Sequence, residues 1–358
     1  MSTPGASESP RTAIILLNWN GWRDTLACLE SLLGSDRQGF VAIVCDNGSS
    51  DDSWEQISRW GRQRLGDRFS AWSLGEQWKP DQQIVLIQTG ANLGFAGGCN
   101  IGIRFALQQT PCEYLWLLNN DTEVAPNSLS EQVRRMERDR GLGLLGSTLI
   151  HDAPSRPVQC FGGYGFNFWT GRVRPFPFPL DASHPPSVPE VEQRLRYVSG
   201  ASTFATRAFV EAVGLLNEQY FLYFEEIDWA VRGKGFRLSY CPESVVLHKE
   251  GRAIGSAASS AQRSEQSELW LTRNRVLFTR TYFPLRLPVA IAWMLVVALI
   301  RGLKHGPSHA RLLLRGVWNG LKAPIRPLPT MNEWPAETLQ AANRQALPVD
   351  GAQPAVRT

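Results

Sequence analysis

Cysteine is sparse and unpatterned in this chain of 358 residues, where Cys28, Cys45, Cys99, Cys112, Cys160 and Cys241 show no C-x-x-C or C-x-x-H spacing. That excludes a thiolate metal framework, and most of the six lie inside apolar runs, where a thiol packs as a small hydrophobe. The glycine fingerprints of common nucleotide folds are missing too. Gly94, Gly97, Gly98 and Gly102 do not form G-x-G-x-x-G, and they follow the third apolar run instead of the first, which argues against a dinucleotide fold. No G-x-x-x-x-G-K-[ST] occurs, which excludes a P-loop hydrolase. A net charge of +4 does not point to nucleic acid. The opening MSTPGASESPR lacks the basic-then-apolar build of a secretory signal, so the catalytic part is expected in the cytoplasm.

What is present is an ordinary globular composition, 43% hydrophobic and 20% charged, long enough for one large α/β domain with an extension. Four times an apolar run closes on a polar turn and a helical pattern follows. The runs are TAIILLNWNG, FVAIVCDNGSSDD, QIVLIQTGANLGFAGGCN and CEYLWLLNNDTEVAP. Strands alternating with helices at this spacing predict a mostly parallel sheet covered on both faces. From about His151 to Arg196 the pattern dissolves into Pro, Gly and aromatics, which suits an irregular excursion or short hairpins lining a cleft. Regular pattern returns with a helix from about Arg207, an acidic helix start at YFEEIDWAVR, and a last strand through Val245, Val246 and Leu247.

Ligands of open parallel sheets collect beyond the carboxyl ends of the strands, where loops and helix N-termini present unpaired groups. The polar clusters sit at such ends. They are Asn18 and Asn20 after the first strand, Asp46, Asn47 and Asp51 after the second, Asn92, Gly94, Gly98 and Asn100 after the third, and Asn119, Asn120 and Asp121 after the fourth. One such cluster reads as turn and N-cap chemistry; four in series at one edge read as a site. Asp51 has a competing role as the N-cap of the helix that follows.

The ordered set of NWNG, VCDNGSSDDS, NLGFAGGCNIG, LLNNDTEV, VSGASTFATRAFVEAVGLLNEQYFLYFEEIDWAVRGKGFRL and VVLHKEG resembles the inverting glycosyltransferases of family 2, with the GT-A (Rossmann-like) fold, and most of all their rhamnosyltransferase-like branch. The match runs from about Thr12 to Gly255. The resemblance implies a nucleotide-diphosphate sugar donor and a divalent cation, Mg or Mn, held by Asp121 with His248 and Asn119. Many members of the family carry Asp where Asn119 stands, so Asp121 is left as the principal anionic ligand. It implies that Asp46 hydrogen-bonds the nucleotide base or ribose, that Ser199 to Ser202, including Gly200 and Ala201, line the donor sugar or acceptor, and that Glu226 is the base, with Glu225 and Asp228 shaping its pKa or binding sugar hydroxyls. A carboxylate base suits a transfer in which an acceptor hydroxyl loses its proton as it attacks the anomeric carbon. The competing reading of the three acids is favourable electrostatics at a helix N-terminus. The rival function is a non-catalytic nucleotide-sugar or glycan binding module whose metal site has decayed at Asn119.

No Asp or Glu occurs from Leu269 to Arg326, and within that stretch LPVAIAWMLVVALI, Leu287 to Ile300, is continuously apolar. It is shorter than the roughly 20 residues that cross a bilayer. With Arg273, Arg275, Arg280 and Arg286 before it and Arg301, Lys304, Arg311, Arg315, Lys322 and Arg326 after it, the segment reads as lying in the cytoplasmic membrane interface. The acceptor is then expected to be a lipid-linked saccharide or a growing glycan. The organisation expected is a disordered tail over 1–11, a catalytic domain over 12–255, a helical membrane-interface extension over 256–326 and a disordered tail over 327–358.

Overall fold

A computed structural model describes residues 11–249, 264–335 and 339. The first ten residues, the close of the catalytic domain near Gly255 and most of the C-terminal tail lie outside the described residues.

The first half is built from β1 (Thr12–Asn18), α1 (Trp22–Leu33), β2 (Phe40–Asp46), α2 (Ser53–Leu65), β3 (Phe69–Trp72), β4 (Ile84–Gln88), α3 (Gly94–Gln109), β5 (Tyr114–Asn119), β6 (Thr122–Val124) and α4 (Ser128–Arg138). Then come β7 (Leu142–His151), β8 (Val158–Phe161), β9 (Gly163–Asn167), β10 (Arg172–Arg174), α5 (Val188–Arg194), β11 (Tyr197–Val198), β12 (Ser202–Thr206), α6 (Arg207–Val213), α7 (Glu225–Arg232) and β13 (Arg237–His248). Three helices close the described chain: α8 (Glu265–Tyr282), α9 (Leu287–His305) and α10 (Pro307–Lys322).

The central sheet runs β3-β4-β2-β1-β5-β12-β7-β13-β6, with β8 added on β7. Strands β3, β4, β2, β1 and β5 are mutually parallel. β12 then enters antiparallel between β5 and β7, and β6 closes the far edge antiparallel to β13. The sheet is therefore mostly parallel, as the alternating pattern predicts. The four strand–helix units all appear, while the short edge strand β3 carries too little periodicity to be read in advance. The Pro- and Gly-rich stretch forms β8, the antiparallel β9–β10 pair and α5.

Central strands such as FVAIVCD are buried along their whole length because helices cover both faces. Helix α3 lies close on the sheet because it is glycine-rich: a Cβ on Gly98 would stand 2.2 Å from Leu17 Cδ1, and one on Gly102 would stand 2.6 Å from Ile15 Cγ2.

The C-terminal helices are continuous with this body. Leu277 and Phe278 of α8 are buried in one apolar cluster with Phe166, Tyr220 and Phe224. α10 approaches α8 through Gly316, which faces Thr272, and Gly320, which faces Val276. α9 turns Ala290, Met294 and Ala298 inward and leaves Leu295, Leu299 and Leu303 exposed. Two expectations change here. The apolar helix is longer than its apolar core, because Arg301 to His305 continue the helical turns, and Pro284–His305 is long and apolar enough to cross a membrane by length and composition. Trp293, in the middle of the run, lies against the Arg172 guanidinium at 5.2 Å from the ring centre. The tail from Pro327 also differs from its expected disorder over its first residues. Arg104 donates to the Thr330 carbonyl, and Trp334 donates to Gln108 and packs on Trp72 at 5.4 Å.

Candidate active site

Asp46, at the end of β2, is fully buried and its carboxylate is surrounded by donors. Oδ1 accepts from Asn18 Nδ2 at 2.9 Å and Ser49 Oγ at 2.5 Å, and Oδ2 accepts from Gln88 Nε2 at 2.7 Å. Burial raises its pKa against the opposing pull of these hydrogen bonds. The network continues: Thr25 Oγ1 donates to Asn18 Oδ1 at 2.8 Å, and Asn120 Nδ2 donates to Thr25 Oγ1 at 2.9 Å. Three neighbouring strand ends, those of β1, β2 and β5, are thus tied into one polar relay.

Several residues expected as ligand contacts are engaged inside the protein. Asp46 has both oxygens engaged inside the protein, so it organises the loop and does not face solvent. Asn18 does the same. Asn47 is buried and bridges loops, accepting from Leu93 N and donating to Asn92 Oδ1 and the Gly94 carbonyl. Asn100 lies in the body of α3 and is bonded to both backbone groups of Leu216 and to Glu218. Gly98 faces Leu17 and Asn47. Gly94 has φ of +73°, and a Cβ there would stand 2.4 Å from the Phe221 carbonyl oxygen, so its requirement is a backbone crossing. Asp51 accepts from Ser53 N at 3.1 Å in a turn ahead of α2, and the N-cap expected of it falls to Asp52. Asn20 and Asn92 remain exposed at the rim, and Asn20 Oδ1 holds the Ser50 amide at 2.8 Å.

The end of β5 differs. Asn119, Asn120 and Asp121 are half-buried, and β13 brings His248 beside them through its pairing with β6. His248 Nε2 stands 3.4 Å from Asp121 Oδ1 and 3.4 Å from Asn119 Nδ2. Its Nδ1 pairs with Gln159 Oε1 at 2.9 Å, which places the ring proton on Nδ1 and turns the Nε2 lone pair toward Asp121. Gln159 carries no signal in the sequence. It lies in the aromatic-rich stretch, and only the pairing of β8 on β7 sets it beside His248. Among the described residues, no group of three or more His, Cys, Asp or Glu side chains converges as a metal set. One carboxylate, one imidazole and one amide do converge, and they suit a divalent cation that takes its other ligands from a diphosphate and water.

The acidic helix start separates its three acids. Asp228 is fully buried and fully engaged: Arg232 Nε donates to Oδ1 at 2.6 Å, and Tyr282 Oη and Tyr220 Oη donate to Oδ2 at 2.7 and 3.1 Å. It ties α7 to α8 and to the Tyr220 turn. Glu225 is buried and Glu226 half-buried, and Oε2 of each has no hydrogen-bond partner among the described residues. Burial raises Glu226 to about 7. Burial, and then the neighbouring Glu226 charge, raise Glu225 well above the carboxylate range. Burial thus pushes both adjacent carboxyls upward, toward their neutral forms.

The turn that delivers them is strained. Phe221, Tyr223 and Phe224 have φ of +64°, +68° and +80° without being glycine, at a cost of about 1–3 kcal/mol each. The two halves of the site meet at the SGAS loop. The Ala201 carbonyl accepts from Asn119 N at 3.0 Å, and a Cβ built on Gly200 would stand 4.0 Å from the Glu226 carboxyl carbon. Ala201 therefore adjoins the strand end that carries Asn119, and Gly200 adjoins Glu226.

Residues 13–159 match the model of the family described as Glycosyl transferase family 2. The chain is 23% identical over 226 residues to the low-salt glycan biosynthesis hexosyltransferase Agl10 of Haloferax volcanii, covering 59% of this chain and 67% of the relative. It is 25% identical over 248 residues to the N-acetylglucosaminyl-diphospho-decaprenol L-rhamnosyltransferase of Mycobacterium tuberculosis, covering 65% and 74%. Among solved structures it is similar in fold to the mannosyltransferase PcManGT of Pyrobaculum calidifontis in complex with GDP-Man and Mn2+. The TM-score there is 0.50, with 14% identity and 88% of each chain covered.

Proposed function

Starting from a chain whose residues 13–159 belong to glycosyl transferase family 2, we propose an inverting, metal-assisted transfer of a sugar from a nucleotide-diphosphate donor to a hydroxyl of a lipid-linked saccharide or glycan. The observation that carries this reading is the half-buried Glu226 carboxyl, whose Oε2 has no hydrogen-bond partner among the described residues, beside the SGAS loop that also meets Asn119. The alternative of a binding module gains nothing from a buried carboxyl poised near neutrality, because burying it without a partner costs stability.

In this reading Glu226 Oε2 takes the proton of the acceptor hydroxyl as that oxygen forms its bond to the anomeric carbon. The bond from the anomeric carbon to the diphosphate oxygen breaks on the opposite face, and its electron pair leaves with the nucleoside diphosphate. Glu225, kept neutral, adds no second charge beside a base that must accept a proton. Asp121 and His248, with the Asn119 amide, would hold the divalent cation. A bound cation supplies Lewis-acid stabilisation to the departing diphosphate. The rim residues Asn20 and Asn92 and the Ser49–Asp51 loop would meet the nucleotide. A rhamnosyl donor is favoured by the resemblance and by the name of the mycobacterial relative.

The exposed apolar side of α9, bordered by Arg286, Arg301 and Lys304, supports attachment to the cytoplasmic membrane surface. Helix α9 is tied along α8 by Arg301 to Glu268 at 2.5 Å, an arrangement that suits lying in the interface better than crossing it. Flotation with anionic vesicles should carry the full chain and lose a truncation ending before Leu285. Full-length protein unbound at low salt would refute the attachment.

The central test is calorimetric titration of nucleoside diphosphates with and without Mn2+. Asp121→Ala should abolish the metal-dependent component, and His248→Ala should weaken it less, since a neutral ligand contributes less charge. An unchanged metal-dependent affinity in Asp121→Ala would overturn the metal assignment.

A further inference from the structure

We propose that Asn274, on α8 and distant in sequence from every site motif, is a positioning residue for the base, clamping the turn from which Glu225 and Glu226 emerge; this rests on the reading of Glu226 as the base. Three non-glycine residues of that turn occupy the left-handed region, a conformation the chain keeps only where its surroundings hold it. One buried side chain gathers three carbonyls of the segment. Asn274 Nδ2 lies within hydrogen-bond distance of the carbonyls of Tyr220 at 2.8 Å, Leu222 at 2.8 Å and Tyr223 at 3.0 Å, its two N–H hydrogens shared among the three. Asn274 is fully buried, so no water competes for those carbonyls.

Its orientation is set from behind. Arg273 Nη1 donates to Asn274 Oδ1 at 2.7 Å and to the Gln219 carbonyl at 2.6 Å. Turned the other way, the amide would face three carbonyl oxygens with a fourth oxygen. Around this clamp α8 grips the same segment at other points. Trp270 stacks on Phe221 with centroids 5.0 Å apart, Tyr223 Oη donates to Ser267 Oγ at 3.2 Å, and Tyr282 Oη donates to Asp228 in α7. From the opposite side Phe95 N donates to the Phe221 carbonyl at 2.6 Å.

The consequence is that the position of Glu226 is set by a helix of the C-terminal extension. With the clamp gone, the turn relaxes toward ordinary backbone angles, the start of α7 shifts, and the base loses both its place opposite Gly200 and its sheltered environment.

The test compares Asn274→Ala, Asn274→Ser and Asn274→Asp with Glu226→Gln in the full chain. Readouts are kcat and KM for nucleotide-sugar turnover, the pH profile of kcat, and thermal melting. Asn274→Ala should lower kcat by about tenfold or more with the donor KM near normal. The acidic limb of its profile should move to lower pH, as a more solvated carboxyl returns toward its ordinary value. Asn274→Ser, which keeps one donor, should recover part of both, and Asn274→Asp, which sets an oxygen against three carbonyls, should lose more than Ala. Folded Asn274→Ala with normal kcat and an unmoved acidic limb overturns the clamp while Glu226→Gln remains inactive. An active Glu226→Gln overturns the base reading instead. If Ala does not fold, Ser is read by the same two measures; failure of both to fold also overturns the proposal, since the residue would then specify the fold and not the base.

Discussion

The end of β2 and the start of α7 both place carboxylates in the protein interior, and they treat them oppositely. At β2, each oxygen of Asp46 has a donor, and the relay through Asn18, Thr25 and Asn120 is satisfied from end to end. At α7, Asp228 is wrapped in the same way, while Glu225 and Glu226 each leave an oxygen without a partner. A satisfied buried acid holds elements together; one that keeps an oxygen open can take a proton from elsewhere. Sequence spacing alone does not separate the two kinds, because Asp228 lies two residues from Glu226 in the same helix.

The largest expected effect tests the structural side of this contrast. Asp228→Ala should destabilise the fold by about 3–5 kcal/mol, because Arg232 would lose its buried counter-charge and two tyrosine hydroxyls their acceptor. Urea unfolding of the variant checks it, and a loss under 1 kcal/mol would return Asp228 to the functional side.

Glu226→Gln tests the other side. It should melt at or above the parent temperature, since a buried charge is removed, yet lose turnover by about 10²-fold or more with donor binding nearly unchanged. The parent should show the matching pH dependence. A base works only when deprotonated, so with Glu226 raised to about 7, turnover should rise as pH climbs toward that value and level off above it. In Glu226→Gln that limb should vanish from whatever activity remains. A limb that persists would assign it to another group.

The smallest effect is expected at the loop that both regions lack in common. Asp51→Ala removes one acceptor in the turn ahead of α2, at a cost of about 0.5–1.5 kcal/mol, and should leave turnover within a few-fold of the parent. A large rise in donor KM with unchanged stability would instead restore its expected contact with the nucleotide.

Much of the first half was legible because its signals are local. Apolar runs such as FVAIVCD, closed by Asn, Asp and Gly, announce buried strands and their turns within a few residues. The acids of YFEEIDWAVR were legible as a cluster at a helix start, but the division of labour within it was not. Glu225, Glu226 and Asp228 are equivalent as letters. They differ because Tyr220, Arg232 and Tyr282 reach one of them and not the others, and Tyr282 arrives from a helix more than fifty residues on.

By itself, then, the sequence determined the alternating strand–helix order, the edge at which polar residues gather, and the apolar, basic character of the last helices, because periodicity and composition act within single elements. Only the tertiary structure decided which acids are spent on the protein and which are left open, that Gln159 orients His248, and that Asn274 grips the turn before the acid pair. Hydrogen-bond satisfaction in a buried site depends on partners brought from distant segments, and no local pattern encodes which partner arrives.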